Sequence, residues 1–207
     1  PLYIGTMHYN ENKPLTDSNY ISILDLSYID FNITSCGYFQ TKEISNKIHT
    51  YLNEKDNMNT IMHNNPYSSR YNANNDCFVH IRLGDVAKYN PGVNYYYSIL
   101  STISFEQLYI STDSPNHPII NTLRKYFPKS ILYNNKIPHI ILFASTCKYV
   151  ILSYGTFSAI IGYISYYSEV HCLPYCSKYA WDWHLNDECN MFQEKKTKVK
   201  DWIIHYE

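Results

Sequence analysis

The sequence contains little glycine, with six glycines in 207 residues. None of them forms the G-x-G-x-x-G pattern that lets a backbone approach a dinucleotide pyrophosphate after a strand. The P-loop pattern G-x-x-x-x-G-K-[ST] and the nucleophile elbow G-x-S-x-G are absent as well. The sequence therefore argues against an NAD-type dehydrogenase, a P-loop nucleotide hydrolase and a serine hydrolase of the elbow type.

An excess of charge of either sign is also missing. The chain has 17 Lys and Arg against 18 Asp and Glu, with a net charge of -1 and a sequence pI of about 6.9. Without a broad cationic field, the protein is not expected to attract anionic lipid, or nucleic acid without preference for its base sequence. Any binding of phosphate must therefore depend on a few residues at one place.

No apolar run approaches the roughly 20 residues that a membrane-spanning helix needs. The first residues, PLYIGTMHYN, lack the charged-then-apolar order of a secretory signal, and a start at Pro1 indicates a trimmed chain or a fragment. With 45% hydrophobic residues, we expect a soluble globular protein of one large or two small domains. A cytoplasmic location is expected; the membrane periphery, or the secretory lumen for a trimmed catalytic domain, are the alternatives.

The six cysteines show no regular spacing, and a chain of this length folds without disulfides, so we expect reduced thiols. Cys172 and Cys176, with His171 and His184 nearby, could form a metal cluster, but their spacing matches no strong zinc pattern. Buried thiols are the preferred interpretation, and no metal site is predicted.

From Asp76 onward, short apolar runs alternate with amphipathic stretches. The runs are CFVHIR (77–82), EQLYIST (106–112), KSILY (129–133), KYVILS (148–153) and EVHCLP (169–174); the stretches of helical length between them are NYYYSILSTIS, NHPIINTLRKYF, IPHIILFASTC and TFSAIIGYISYY. Such alternation predicts an α/β fold with a Rossmann-like parallel sheet covered by helices on both faces. This domain is predicted over 76–207, ending in a helix at about 190–206.

The first part of the chain is more heterogeneous, and residues 1–75 are predicted to be an incomplete N-terminal domain and a linker. The segment GYFQTKEISNKIHTYL places Ile44, Ile48, Tyr51 and Leu52 on one face of a helix. The Asn-rich tract that follows, up to about residue 75, is typical of a long loop or a domain linker.

Polar clusters follow three of the predicted strands. They are His80, Arg82 and Asp85 after the first; Ser111, Thr112, Asp113 and Ser114 at the second; and Ser153, Gly155, Thr156 and Ser158 after the fourth. In an open parallel sheet, ligands bind in the crevice beyond the carboxyl ends of the strands. The three clusters are therefore predicted to form one site.

Their chemistry suits an anionic nucleotide. Arg82 offers a planar fork for phosphate oxygens. The segment SYGTFS leads into a helix, so its hydroxyl and N–H groups could hold a phosphate. Asp113 suits donor groups such as a ribose hydroxyl or a guanine N–H edge. A nucleoside diphosphate would satisfy all three clusters.

Each cluster also has a purely structural interpretation. Arg82 and Asp85 can be a strand-end ion pair, and His80 can be a hydrogen-bonded core histidine. Thr156 and Ser158 suit a helix N-cap, and Asp113 can belong to an ordinary turn. The occurrence of all three clusters at one sheet edge favours a binding site.

Several motifs resemble the α-1,2-fucosyltransferase family. They are GYFQ (37–40), CFVHIRLGD (77–85), YYY (95–97), YISTDS (109–114) and CKYVILSYGTFSAIIGYIS (147–165). The family carries H-x-R-R-x-D, a strand ending in Ser-Asp-Asp, and a late Cys-x-x-x-I-x-x-S-x-F-S-W-W. The resemblance implies a GT-B fold, GDP-fucose as donor, a glycan acceptor, and inversion at the sugar carbon with no metal or other cofactor.

The resemblance also implies roles for individual residues. Arg82 would neutralise the charge on departing GDP, and Asp85 is the candidate general base toward an acceptor hydroxyl. The donor-binding residues would be His80, Arg82, Asp113, Ser114, Ser153, Gly155, Thr156, Phe157 and Ser158. Residues 1–75 would belong to the acceptor side.

The sequence departs from the family pattern at several positions. Leu83 replaces the second Arg, Ser114 replaces the second Asp, and Ala159 and Ile160 replace the paired Trp. The glycine-rich GGLGNQ segment of the family is absent, which indicates a fragment or divergence beyond catalysis; a fragment is preferred. Two alternatives stay open: a GT-B transferase with another donor or acceptor, such as a protein O-fucosyltransferase, and a non-catalytic module that binds a GDP-sugar or a glycan.

Overall fold

The computed structural model describes residues 42–85, 87–172 and 203–204. The helices are α1 (Lys42–Asn53), α2 (Lys55–His63), α3 (Val93–Leu100), α4 (Pro118–Tyr126), α5 (Ile137–Ala144) and α6 (Thr156–Tyr163), with 3₁₀ turns at Ser68–Arg70 and Ala87–Tyr89. The strands are β1 (Cys77–Ile81), β2 (Leu108–Thr112), β3 (Ile131–Leu132), β4 (Tyr149–Ile151), β5 (Glu169–Cys172) and β6 (Ile203–Ile204).

The strands form one parallel sheet in the order β3-β2-β1-β4-β5-β6. This is the strand order of a doubly wound Rossmann-type sheet, and the order reverses between β1 and β4. The predicted α/β class, with a Rossmann-like parallel sheet flanked by helices, is therefore confirmed. All five strands predicted after residue 76 are present, each shorter than its apolar run, and β3 is reduced to two residues.

Hydrophobic cores on both faces explain why β1 is buried at every position. On one face, Val79 and Ile81 pack with apolar residues of α3 and α4. On the other face, Phe78 packs with Phe143 of α5 and with residues of α6. A central strand covered on both sides needs a continuous apolar sequence, which is what CFVHI supplies except at His80.

The first part of the Asn-rich tract belongs to the helix Lys55–His63, so its prediction as a loop was wrong there. The Asn57 side chain donates 2.9 Å hydrogen bonds to the Tyr51 carbonyl in α1 and to the Glu54 carboxylate. These bonds fasten the start of α2 to the end of α1. The residue types favoured a loop, but side-chain bonds between successive segments stabilise a second helix.

The residues before β1 contact the same core as the strands. Leu52 and Tyr67 pack against the cluster around Phe143. Arg70 bonds to Asp76 at 2.7 Å. Within the described residues, side chains from before position 75 thus pack against the core formed by the sheet and its helices. The assignment of 1–75 to a separate domain stays a prediction.

The predicted helix at about 190–206 is wrong at its end, where Ile203–Ile204 form a strand parallel to β5. The backbone N–H and C=O groups at the edge of β5 pair with this segment, which therefore joins the sheet. The rest of the predicted helix lies outside the described residues, as do GYFQ and residues 1–41. Across the described part of the chain, no helix combines the length and apolar character required to cross a bilayer.

Candidate nucleotide-binding site

The predicted site residues lie at the carboxyl edge of β1, β2 and β4, where the strand order reverses. β1 lies between β2 and β4, so the residues that follow all three strands are neighbours. Loops that leave an open parallel sheet on either side of such a reversal point form a crevice for ligands. The fold therefore brings the three predicted clusters together.

The Arg82 guanidinium lies between two carboxylates. Its Nη2 is 2.6 Å from Asp85 Oδ1, and its Nη1 is 2.8 Å from Asp113 Oδ2. The Asp85 side chain is 74% exposed, so this contact competes with water and is easily exchanged. A phosphate that binds Arg82 has to displace Asp85 or share the guanidinium with it.

Asp113 is held more firmly than Asp85. Its Oδ1 accepts the backbone N–H groups of Leu83 at 2.9 Å and Gly84 at 3.1 Å, and the Ser114 hydroxyl lies 3.3 Å away. Burial opposes ionisation, but these hydrogen bonds and Arg82 outweigh it and lower the pKa of Asp113 below its usual value. At neutral pH, Asp113 is thus an anion that fixes the turn after β1.

His80 is buried and connects β1 to α6. Its Nδ1 is 2.6 Å from Ser158 Oγ, which is 3.2 Å from Ser153 Oγ. The imidazole ring also lies 4.8 Å from the Phe157 ring. Burial lowers the pKa of His80 to about 4, with opposing smaller effects of Asp113 and Arg82. At neutral pH, His80 is therefore an uncharged hydrogen-bonding group.

The turn between β4 and α6 is built around Gly155, whose φ is +108°. A side chain would strain this left-handed backbone, although the space beside Gly155 is open. Thr156 begins α6, and the Ser158 hydroxyl within it is buried. Ser153 Oγ accepts the Arg82 N–H at 3.0 Å. The Ser153 hydroxyl thus connects the turn after β4 to the backbone after β1, and the Ser158 hydroxyl connects α6 to β1 through His80.

Two side chains that the sequence did not identify as site residues, Asn90 and Tyr96, lie beside Arg82. Asn90 Nδ2 donates to the Arg82 carbonyl and to the Tyr96 hydroxyl, both at 3.0 Å, and its Oδ1 accepts the Gly92 N–H at 2.9 Å. The composition of Asn90-Pro91-Gly92 is typical of a turn, but it does not indicate which carbonyl the amide contacts.

The described residues include no group of three or more His, Cys, Asp and Glu side chains that could hold a metal ion. Cys172 is buried and free, as are Cys77 and Cys147, in agreement with the predicted reduced thiols. Cys176 and His184 lie outside the described residues. The expectation of a metal-independent site with no cofactor stays a prediction, as do the individual roles of the site residues.

Comparison with solved structures shows a partial likeness, whereas the comparisons of sequence found no match. No family model and no curated protein matches the sequence. The crystal structure of the fucosyltransferase NodZ from Bradyrhizobium is similar over 56% of this chain and 43% of that chain, with 10% identity and a TM-score of 0.36. The chain thus spans less than half the length of that structure. A likeness of this size concerns the fold and carries no argument about donor, linkage or mechanism.

Proposed function

We propose that the protein is a glycosyltransferase that moves fucose from GDP-fucose to a sugar hydroxyl with inversion at the anomeric carbon. The observation that carries the proposal is the meeting of Arg82, Asp113 and the Ser153–Ser158 turn where the strand order reverses. The Arg82 guanidinium contacts the Asp113 carboxylate, and the Arg82 backbone N–H contacts Ser153 in the turn that leads into α6. These groups suit a diphosphate with a guanosine attached.

The proposed reaction breaks the bond between the anomeric carbon and a phosphate oxygen and forms a bond from the acceptor oxygen to that carbon. The electron pair of the broken bond leaves with GDP. Arg82 stabilises this developing charge, since a preorganised cation costs no reorganisation during the reaction. The proton of the acceptor hydroxyl passes to Asp85, which requires that its 2.6 Å contact with Arg82 opens first.

The proposal also assigns roles to the other candidate donor-binding residues. Asp113 and Ser114 face the guanosine in this proposal, and Thr156 and Phe157 border the phosphates at the start of α6. His80 supports the site in its neutral form. The partners are a nucleotide-sugar donor and a glycan acceptor, with no metal ion and no nucleic acid.

Calorimetric titration of the full-length protein with GDP-fucose, GDP-mannose and GDP tests the proposal. Losing a charge-assisted hydrogen bond costs roughly 1.5–3 kcal/mol, so Arg82→Ala should weaken GDP binding about 10- to 150-fold. The control Arg124→Ala removes an equal charge from the exposed surface of α4 and should leave binding unchanged. Absence of binding to the wild type, or equal losses in both variants, would contradict the proposal.

One observation favours a second function, a non-catalytic module that binds a nucleotide sugar or a glycan. The two carboxylates on Arg82 give this small cluster a net negative charge, which works against a departing diphosphate. Leu83 also replaces the second arginine of the resembled motif. GDP-fucose binding with neither sugar transfer nor donor hydrolysis by the full-length protein would select this function.

A further inference from the structure

The backbone that leaves β1 is held by side chains instead of by neighbouring strands. Ser153 binds the Arg82 N–H, Asn90 binds the Arg82 carbonyl, and Asp113 binds the next two N–H groups. Both peptide groups that flank the Arg82 side chain are therefore fixed. A side chain whose own backbone is held at both ends has a defined starting direction.

We propose that Asn90 is a positioning residue, which presets the guanidinium of Arg82 for an anionic ligand by holding the Arg82 carbonyl. Asn90 uses both amide hydrogens inside the protein, on the Arg82 carbonyl and the Tyr96 hydroxyl. Its Oδ1 accepts the N–H of Gly92, the residue that precedes α3. Because both donor hydrogens are occupied by protein groups, Asn90 affects the binding of a ligand through Arg82 and not by direct contact.

The partner of Asn90 on the other side is also fixed. Tyr96 is fully buried, and burial raises the pKa of its phenol despite hydrogen bonds with Asn90 and Ser153. The phenol therefore stays protonated, and its oxygen accepts one of the two hydrogen bonds that Asn90 donates. Asn90 therefore connects the Arg82 carbonyl to a buried side chain of α3, so disturbing Asn90 is expected to affect Arg82.

A double-mutant cycle separates positioning from general support of the fold. It rests on the proposed function, because the readout is the dissociation constant for GDP. Coupled neighbours typically interact by about 0.5–3 kcal/mol, so Asn90→Ala should weaken GDP binding roughly 2- to 150-fold in the wild-type background. In the Arg82→Ala background, the same change should have less than about a twofold effect. Equal losses in both backgrounds would overturn the proposal.

Asn65 offers a closely matched control. Its Nδ2 donates to the Leu142 carbonyl at 3.0 Å and to the Tyr71 hydroxyl at 2.9 Å, which is the same pair of partner types that Asn90 binds. Asn65→Ala should lower the melting temperature and leave the affinity of the folded protein for GDP unchanged. A matching loss of affinity in Asn65→Ala would show that both residues only support the fold.

A second variant and a readout without ligand keep the two proposals distinguishable. Asn90→Asp loses both donated bonds but keeps an acceptor for the Gly92 N–H, so it serves if Asn90→Ala does not fold. In NMR spectra of the free protein, both Asn90 variants should accelerate proton exchange at Arg82 Nε, and Asn65→Ala should not. Unchanged exchange would overturn the positioning role, whereas a wild type that binds no GDP would overturn only the proposed function.

Discussion

Lowering the pH from 7.5 to 5 should cost the fold about 2 kcal/mol through His80 alone. Burial lowers the pKa of this imidazole from 6.5 to about 4. The unfolded chain takes up the proton near pH 6.5, but the folded protein resists it until about pH 4. Acid therefore favours the unfolded state, and the full loss below pH 4 would be about 3 kcal/mol at 1.36 kcal/mol per pH unit.

Urea unfolding followed by circular dichroism at pH 7.5, 6.5, 5.5 and 5 measures this loss. His80→Gln keeps a hydrogen-bonding group beside Ser158 but removes the titration, so its free energy of unfolding should fall about 2 kcal/mol less than that of the wild type. The control His63→Gln replaces an exposed histidine and should follow the wild type. A wild-type pH dependence that persists in His80→Gln would refute the assignment of a buried, neutral His80.

Three further changes have defined outcomes. Gly84→Ala places a methyl group 2.9 Å from Asp113 Oδ2 and should lower the melting temperature and weaken GDP binding. If neither changes, the turn adapts to the methyl group and the close approach is not required. Asp85→Asn frees Arg82 from an exposed ion pair and should tighten pyrophosphate binding about two- to fivefold by calorimetry, with Asp56→Asn unchanged. Phe143→Ala should lower the free energy of unfolding by about 3–5 kcal/mol in urea, and a loss under 1 kcal/mol would contradict its core position.

The alternation of apolar runs and amphipathic stretches was sufficient to predict the sheet. CFVHI, apart from His80, and YVIL are apolar throughout, as expected for strands that are covered on both faces, so these sequences carry the signal of burial. The strand order, in contrast, depends on which strands pair. No local pattern encodes that β4 returns to pair with β1.

The two errors in secondary structure have different physical origins. The helix Lys55–His63 lies in a tract whose residue types favour a loop, and it depends on bonds from Asn57 to the preceding helix. Ile203–Ile204 were assigned to the predicted final helix at about 190–206, yet they pair with β5. Both outcomes depend on neighbours that the local sequence does not identify.

The location of the candidate site could be predicted, but its internal bonding could not. Polar residues after buried strands identified the sheet edge, and the fold places Arg82, Asp113 and Ser153 there. The sequence did not indicate that Asp113 binds two backbone N–H groups, or that Asn90 reaches the Arg82 carbonyl. These contacts depend on loop conformation, for which turn residues give only the position of the bend.

An NMR titration of the full-length protein with GDP tests the central claim, that three strand ends form one nucleotide-binding site, most directly. The account predicts that amide resonances of residues 82–84, 113–114 and 153–158 shift together as GDP is added. Resonances at the opposite edge of the sheet, such as those of Cys77 and Tyr149, should stay in place. Shifts confined to that opposite edge, or no shifts at saturating GDP, would contradict the account.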